Sequence, residues 1–115
     1  MKNKTAKEAV AITLKLWSWM KRMNKTSWSD KRAWPPWADH PDYNGPEKCP
    51  LCTYVHSLQE YKKYTDCYVL CPLKHIWPFG CMKIPSPYLS FAANQGAPED
   101  AQAIIDGCSS WSKMN

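Results

Sequence analysis

The sequence predicts a small α-rich domain with little or no β structure, in which N- and C-terminal helices flank an irregular, cysteine-bearing middle. Three observations predict it. Apolar residues recur at three- and four-residue spacing near both ends, four prolines crowd residues 27–46, and five of the six cysteines fall between residues 49 and 81. A chain of 115 residues makes one domain with a modest core. Its hydrophobic share of 44% leans on seven Trp and six Tyr, whose polar tips need partners or water. With so little aliphatic surface, a covalent or metal staple is expected to help hold the fold. The chain divides into a basic amphipathic helix (1–26), a Trp-, Pro- and Cys-rich middle (27–97) and a closing helix (98–113).

The first helix is expected over Thr5 to Met23. Ala9, Ile12, Leu16, Trp19, Met20 and Met23 form its apolar stripe, widened by Val10, Leu14 and Trp17. Thr5 followed by Glu8 reads as a capping box, and Lys21, Arg22 and Lys25 suit the negative end of the helix dipole. Net charge is +5, yet residues 1–32 carry nine Lys/Arg against two acids, whereas residues 33–115 carry six against eight. The basic face, through Lys15, Lys21, Arg22 and Lys25, could meet nucleic acid or an acidic protein surface; a solvated helix face fits the same pattern.

In "SWSDKRAWPPWADHPDYNGP" the prolines and the Asn44-Gly45 turn signal exclude a long helix or a central strand. Polyproline-like and turn conformations are expected there, with Trp28, Trp34 and Trp37 folded over the core. The alternative is a docking patch made by Trp34 and Trp37. "TYVHSLQEYKKY" predicts a short helix presenting Tyr54, Leu58 and Tyr61, and residues 74–96 are expected to be irregular. Pro98, Glu99 and Asp100 open the closing helix, whose buried stripe would be Ala101, Ile104, Ile105, Cys108 and Trp111. Gly107 weakens that helix by about 1 kcal/mol unless close packing requires it.

The stretch "CPLCTYVHSLQEYKKYTDCYVLCPLK" repeats Cys-Pro-Leu, at residues 49–51 and 71–73. A CxxC turn suits tetrahedral zinc, because its thiolates can each sit about 2.3 Å from one ion while backbone amides point at the first sulfur. Pro50 fixes the backbone without removing the amides of Leu51 and Cys52. The predicted ligands are Cys49, Cys52, Cys67 and Cys71, holding one structural zinc per chain, with Cys81 the first substitute and His75 the next. Cys108 reads as a small buried hydrophobe, and His40 and His56 as solvent or core positions. Six cysteines would also suit three disulfides in a secreted protein, the lesser alternative. Glu8 and Lys15 interrupt any signal-peptide core, however, so a cytoplasmic protein with reduced thiols is expected. CPLC also resembles the CPYC motif of glutaredoxins, but that chemistry needs a βαβ context, which the chain lacks. With no GxSxG, HExxH, Walker A or GxGxxG, no enzyme is expected.

The order "LWSWM", "SWSDKRAWPPWAD", CxxC, CPL, a further Cys and "SPY" resembles small cysteine-rich proteins encoded by phages of Gram-positive bacteria. Trp17, Trp34, Trp37, Cys49, Cys52, Cys67, Cys71, Pro72, Leu73, Cys81, Ser86, Pro87 and Tyr88 carry the resemblance, which covers most of the chain. The chain departs from it in the three-residue gap between Cys67 and Cys71, and in Phe91, where a Trp often follows. The resemblance implies an accessory factor that blocks a host defence complex, as an anti-CRISPR binding Cas9 or its ribonucleoprotein, acting as a monomer in the bacterial cytoplasm. The alternative, from spacing and charge, is a nucleic-acid-binding zinc module or phage transcriptional regulator.

Overall fold

The computed structural model describes residues 4–46, 48–62 and 67–114, with Cys67 and Tyr68 by their backbone alone. Among the described residues it is helix-rich and without strands. Helix α1 (Ala6–Arg22) starts where Thr5 Oγ1 accepts the Glu8 amide at 3.2 Å. It ends where Asn24 turns to a φ of +55°, letting the Lys25 amide reach the Met20 carbonyl at 2.9 Å. The expected apolar stripe is displaced in part. Ala9, Val10, Ile12, Leu16, Trp17 and Met20 are buried as expected, but Thr13 joins them, Leu14 and Trp19 are half-buried and Met23 is 52% exposed. The reason is that α1 packs against both the last helix and the CPLC helix, so its buried arc is wide and ends before Met23. Thr13 enters the core without cost because its hydroxyl donates to the Ala9 carbonyl at 2.7 Å.

The Trp- and Pro-rich segment is not polyproline-like. It forms three short 3-10 helices, Trp28–Ala33, Pro35–Asp39 and Pro41–Tyr43, the last two started by a proline whose fixed φ suits the first helical position. Ser27 and Asp30 form a reciprocal capping box at the head of the first. Trp34 and Trp37 meet edge to face at 5.1 Å and are only 4% and 6% exposed. Trp28 is half-buried, stacked on Tyr88 at 4.4 Å with its Nε1–H donating to the Tyr88 carbonyl.

Helix α2 (Pro50–His56) begins earlier than the expected "TYVHSLQEYKKY" helix, because Cys49 is its N-cap and Pro50 its first residue. It stops at His56, so Leu58 and Tyr61 lie in the turns that follow. A single turn, α3 (Cys67–Leu70), precedes the second Cys-Pro-Leu. Helix α4 (Pro87–Ala93) occupies part of the region expected to be irregular. Ser86 caps it, accepting the Leu89 amide at 3.3 Å and donating to the Cys81 carbonyl at 2.6 Å. It inserts Phe91, 1% exposed, against Trp17. Gly96 ends it at φ +83°, so close to the chain after α1 that a Cβ would stand 2.3 Å from Thr26 Cα.

Helix α5 (Pro98–Met114) packs on α1 and α4 and buries Ala101, Ile104, Gly107 and Cys108. Ile105 and Trp111 complete its expected stripe as half-buried residues. Gly107 is required by packing: a Cβ there would stand 2.8 Å from Ile76 Cδ1. The glycine thus seats the turn after the second Cys-Pro-Leu directly on α5. No helix of the described residues is long and apolar enough to cross a membrane.

A thiol cluster beside a buried lysine

In both Cys-Pro-Leu tripeptides backbone amides point at the cysteine sulfur, the first at the head of α2 and the second in a turn. The Cys52 amide donates to Cys49 Sγ at 3.5 Å, and the Leu51 amide points at the same sulfur. At the second copy the Leu73 amide points at Cys71 Sγ, which also accepts the Trp77 Nε1–H at 3.5 Å. Proline at the middle position removes no amide that either sulfur uses. Cys81 follows Gly80, whose φ of +101° turns the chain after Trp77. Cys49, Cys52, Cys71 and Cys81 line one cavity of about 40 Å³, walled otherwise by Leu51, Val55, Trp77 and Gly80. Among the described residues, no group of three or more His, Cys, Asp or Glu side chains is arranged so that it could hold a metal ion.

Within the cluster the thiols differ in acidity. The Cys52 side chain hydrogen-bonds Cys49, which drops to about 6; burial opposes this, while Lys31 and the Cys52 and Leu51 amides assist. The same contact, with one to Cys81, pushes Cys52 up, and Cys81 is lowered by its bond to Cys52. Burial pushes Cys71 up to about 12, against the Trp77 and Leu73 hydrogen bonds. The pattern is one thiol, Cys52, hydrogen-bonded to two neighbours, a contact that raises its own pKa and lowers theirs.

Beside the cluster lies a cation, Lys31, only 3% exposed in the first 3-10 helix. Its Nζ donates to Tyr88 Oη and lies 4.6 Å from the centroid of that ring. Burial lowers its pKa, while the nearby Cys49, Cys52 and Cys81 draw it back up. Sequence reasoning missed Lys31. Between Asp30 and Arg32 it reads as one more surface charge, whereas the fold buries it against partners that include Tyr88, 57 residues away.

The expected site residues sort as follows. Cys49, Cys52 and Cys71 come together, joined by Cys81, the expected substitute. The side chain of Cys67 lies outside the described residues. His75 is exposed and His40 stacks on Trp34 at 5.9 Å. His56 is exposed and packs on Tyr61. Cys108 is fully buried, as expected of a small hydrophobe. Of the partner-binding candidates, Lys15, Lys21 and Arg22 are exposed, Lys21 reaching Gln102 Oε1 at 2.5 Å, and Lys25 lies 5.3 Å over Trp19. Trp34 and Trp37 belong to the core, so a docking patch built from their rings is not what this fold presents. No protein family, curated protein or solved structure matches the chain.

Proposed function

We propose that the chain is a small helical binding module whose middle is stapled by one structural zinc on Cys49, Cys52, Cys71 and Cys81. The observation that carries the metal reading is the convergence of these four thiols, from three separate segments, on one cavity. Zn–S bonds are about 2.3 Å long, so binding includes a closing movement of the thiols around the ion. Four sulfur donors leave no open position, which makes the role structural. The backbone amides already directed at Cys49 and Cys71, with Lys31 nearby, offset the charge of a tetrathiolate centre. Zinc analysis and free-thiol counting on purified protein test this; disulfides without zinc would overturn it.

A module of this kind acts through its surface. The inhibitor reading rests on the resemblance to phage proteins: stoichiometric binding of a host defence complex, with Cas9 or its ribonucleoprotein as the first partner to try. The exposed Lys7, Lys15 and Arg22, spaced to share one face of α1, supply a basic ridge for an acidic or nucleic-acid-bearing partner. Pull-down with the effector, followed by a cleavage assay, tests it. Complex formation, lost in Lys15→Glu/Arg22→Glu, is expected; full cleavage at excess protein refutes it. If the ridge instead serves free DNA or RNA, binding at low salt and its steep loss on adding salt identify a nucleic-acid module.

A further inference from the structure

Two cavities meet at the buried lysine. The first, about 330 Å³, runs from the thiols Cys49, Cys52 and Cys81 to an aromatic wall of Trp17, Trp77 and Tyr88. The second, about 430 Å³, is bordered by the exposed Ser27, Ser29 and Arg32. Lys31, Lys48 and Tyr88 belong to both walls, so the two cavities adjoin at these side chains. Among the described residues lining the second cavity, Lys31, Arg32 and Lys48 are cations and none is an acid.

We propose that these adjoining cavities together bind a small organic anion with an apolar body, an acyl or aryl carboxylate, its head among Lys31, Arg32 and Lys48 and its body against Trp17 and Trp77. The position of the head follows from charge. Lys31, Arg32 and Lys48 all line the second cavity, where charge-assisted hydrogen bonds reward a carboxylate. The apolar body follows from the aromatic wall, and the first volume lies at the small end of ordinary ligand pockets.

Two features support a built site. A lysine that is 3% exposed is costly to bury, and this one stands on the shared wall. Lys48 holds a left-handed backbone, φ +53°, which is strained for a side chain with a Cβ and collects at functional positions. Its Nζ donates to Asn44 Oδ1 and lies 5.6 Å over Trp37, and an ammonium carries three N–H donors. The inference does not depend on zinc, because the residues that would hold the anion are not thiols.

Isothermal titration calorimetry on the full chain, with zinc content recorded, tests it using decanoate below its micelle concentration, 1-naphthoate, and 1-decanol as the uncharged counterpart of decanoate. The expected result is saturable one-to-one binding of at least one anion, decanoate if the site is built for a chain and 1-naphthoate if for a ring. Decanol should bind at least about tenfold more weakly than decanoate, reflecting a lost charge-assisted contact. Lys48→Gly, which suits the left-handed backbone, should weaken the bound anion about tenfold. Met82→Trp, at the exposed rim of the first cavity, should abolish binding. Circular dichroism confirms that both variants are folded. Absence of saturable binding by either anion, decanol binding as tightly as decanoate, or wild-type affinity in either folded variant overturns the proposal.

Discussion

Replacing Gly107 with Ala sets two effects of known sign against each other. In a helix interior Ala is favoured over Gly by about 0.8–1 kcal/mol. Here the new Cβ would stand 2.8 Å from Ile76 Cδ1 and 3.2 Å from Ile76 Cγ2. Overpacking of this kind costs about 1–3 kcal/mol. Ile76 is half-buried and seated in the turn after Cys71-Pro72-Leu73, so it can yield only in part. The net expectation is a loss of about 1 kcal/mol, or roughly 4 °C in melting temperature. Ile76→Ala clears the space and costs about 2 kcal/mol, the low end for a large-to-small change at a half-buried site. In that background Gly107→Ala should stabilise by about 1 kcal/mol, so the cycle has a coupling of about 2 kcal/mol. Urea denaturation of the four proteins measures it. If Gly107→Ala stabilises the wild-type background as much as the Ile76→Ala background, the seating of this turn on α5 is wrong.

Three further outcomes follow from the same geometry. Gly96→Ala should destabilise by more than about 2 kcal/mol in denaturant, since left-handed backbone alone costs Ala about 1–2 kcal/mol and the Cβ meets backbone at 2.3 Å. Cys108 is raised to about 12, first by burial, so its folded-state pKa lies above the unfolded value near 9. Its contribution is complete below pH 9 and is lost as pH rises toward 12; stability should fall over that window, and less steeply in Cys108→Ala, measured by denaturant titration at stepped pH. Phe91→Ala, removing a side chain 1% exposed and edge-on to Trp17 at 5.0 Å, should cost about 3–5 kcal/mol in the same assay.

The end helices were legible because each carries its own periodicity and start signal: Thr5 before α1, Pro98 with Glu99 and Asp100 at the head of α5. Gly107 was legible as a conflict with helix propensity, and Ile76 supplies its reason. Helix α4 was announced by Ser86 before Pro87, a cap followed by a first-turn proline, but the neighbouring prolines and glycines hid it. The Trp-rich loop misled differently, since proline at the head of a 3-10 turn looks in sequence like proline in an extended segment. In the thiol cluster, spacing found the two Cys-Pro-Leu segments whose amides face a sulfur. It could not show that Cys81 joins Cys49, Cys52 and Cys71 at one cavity, because Cys81 reaches it through the Gly80 turn and the tertiary fold. Lys31 was illegible for the same reason: its burial is tertiary, with Tyr88 among its partners, and no local pattern links the two.

The central claim is that four converging thiols hold one zinc, and metal content of purified variants tests it most directly. One zinc per chain is expected in the wild type and in Cys67→Ser, with marked loss in Cys81→Ser, since Cys81 lines the shared cavity with Cys49, Cys52 and Cys71. A wild-type protein with less than one zinc and its thiols paired as disulfides, or a Cys81→Ser protein that keeps its full zinc, would contradict it.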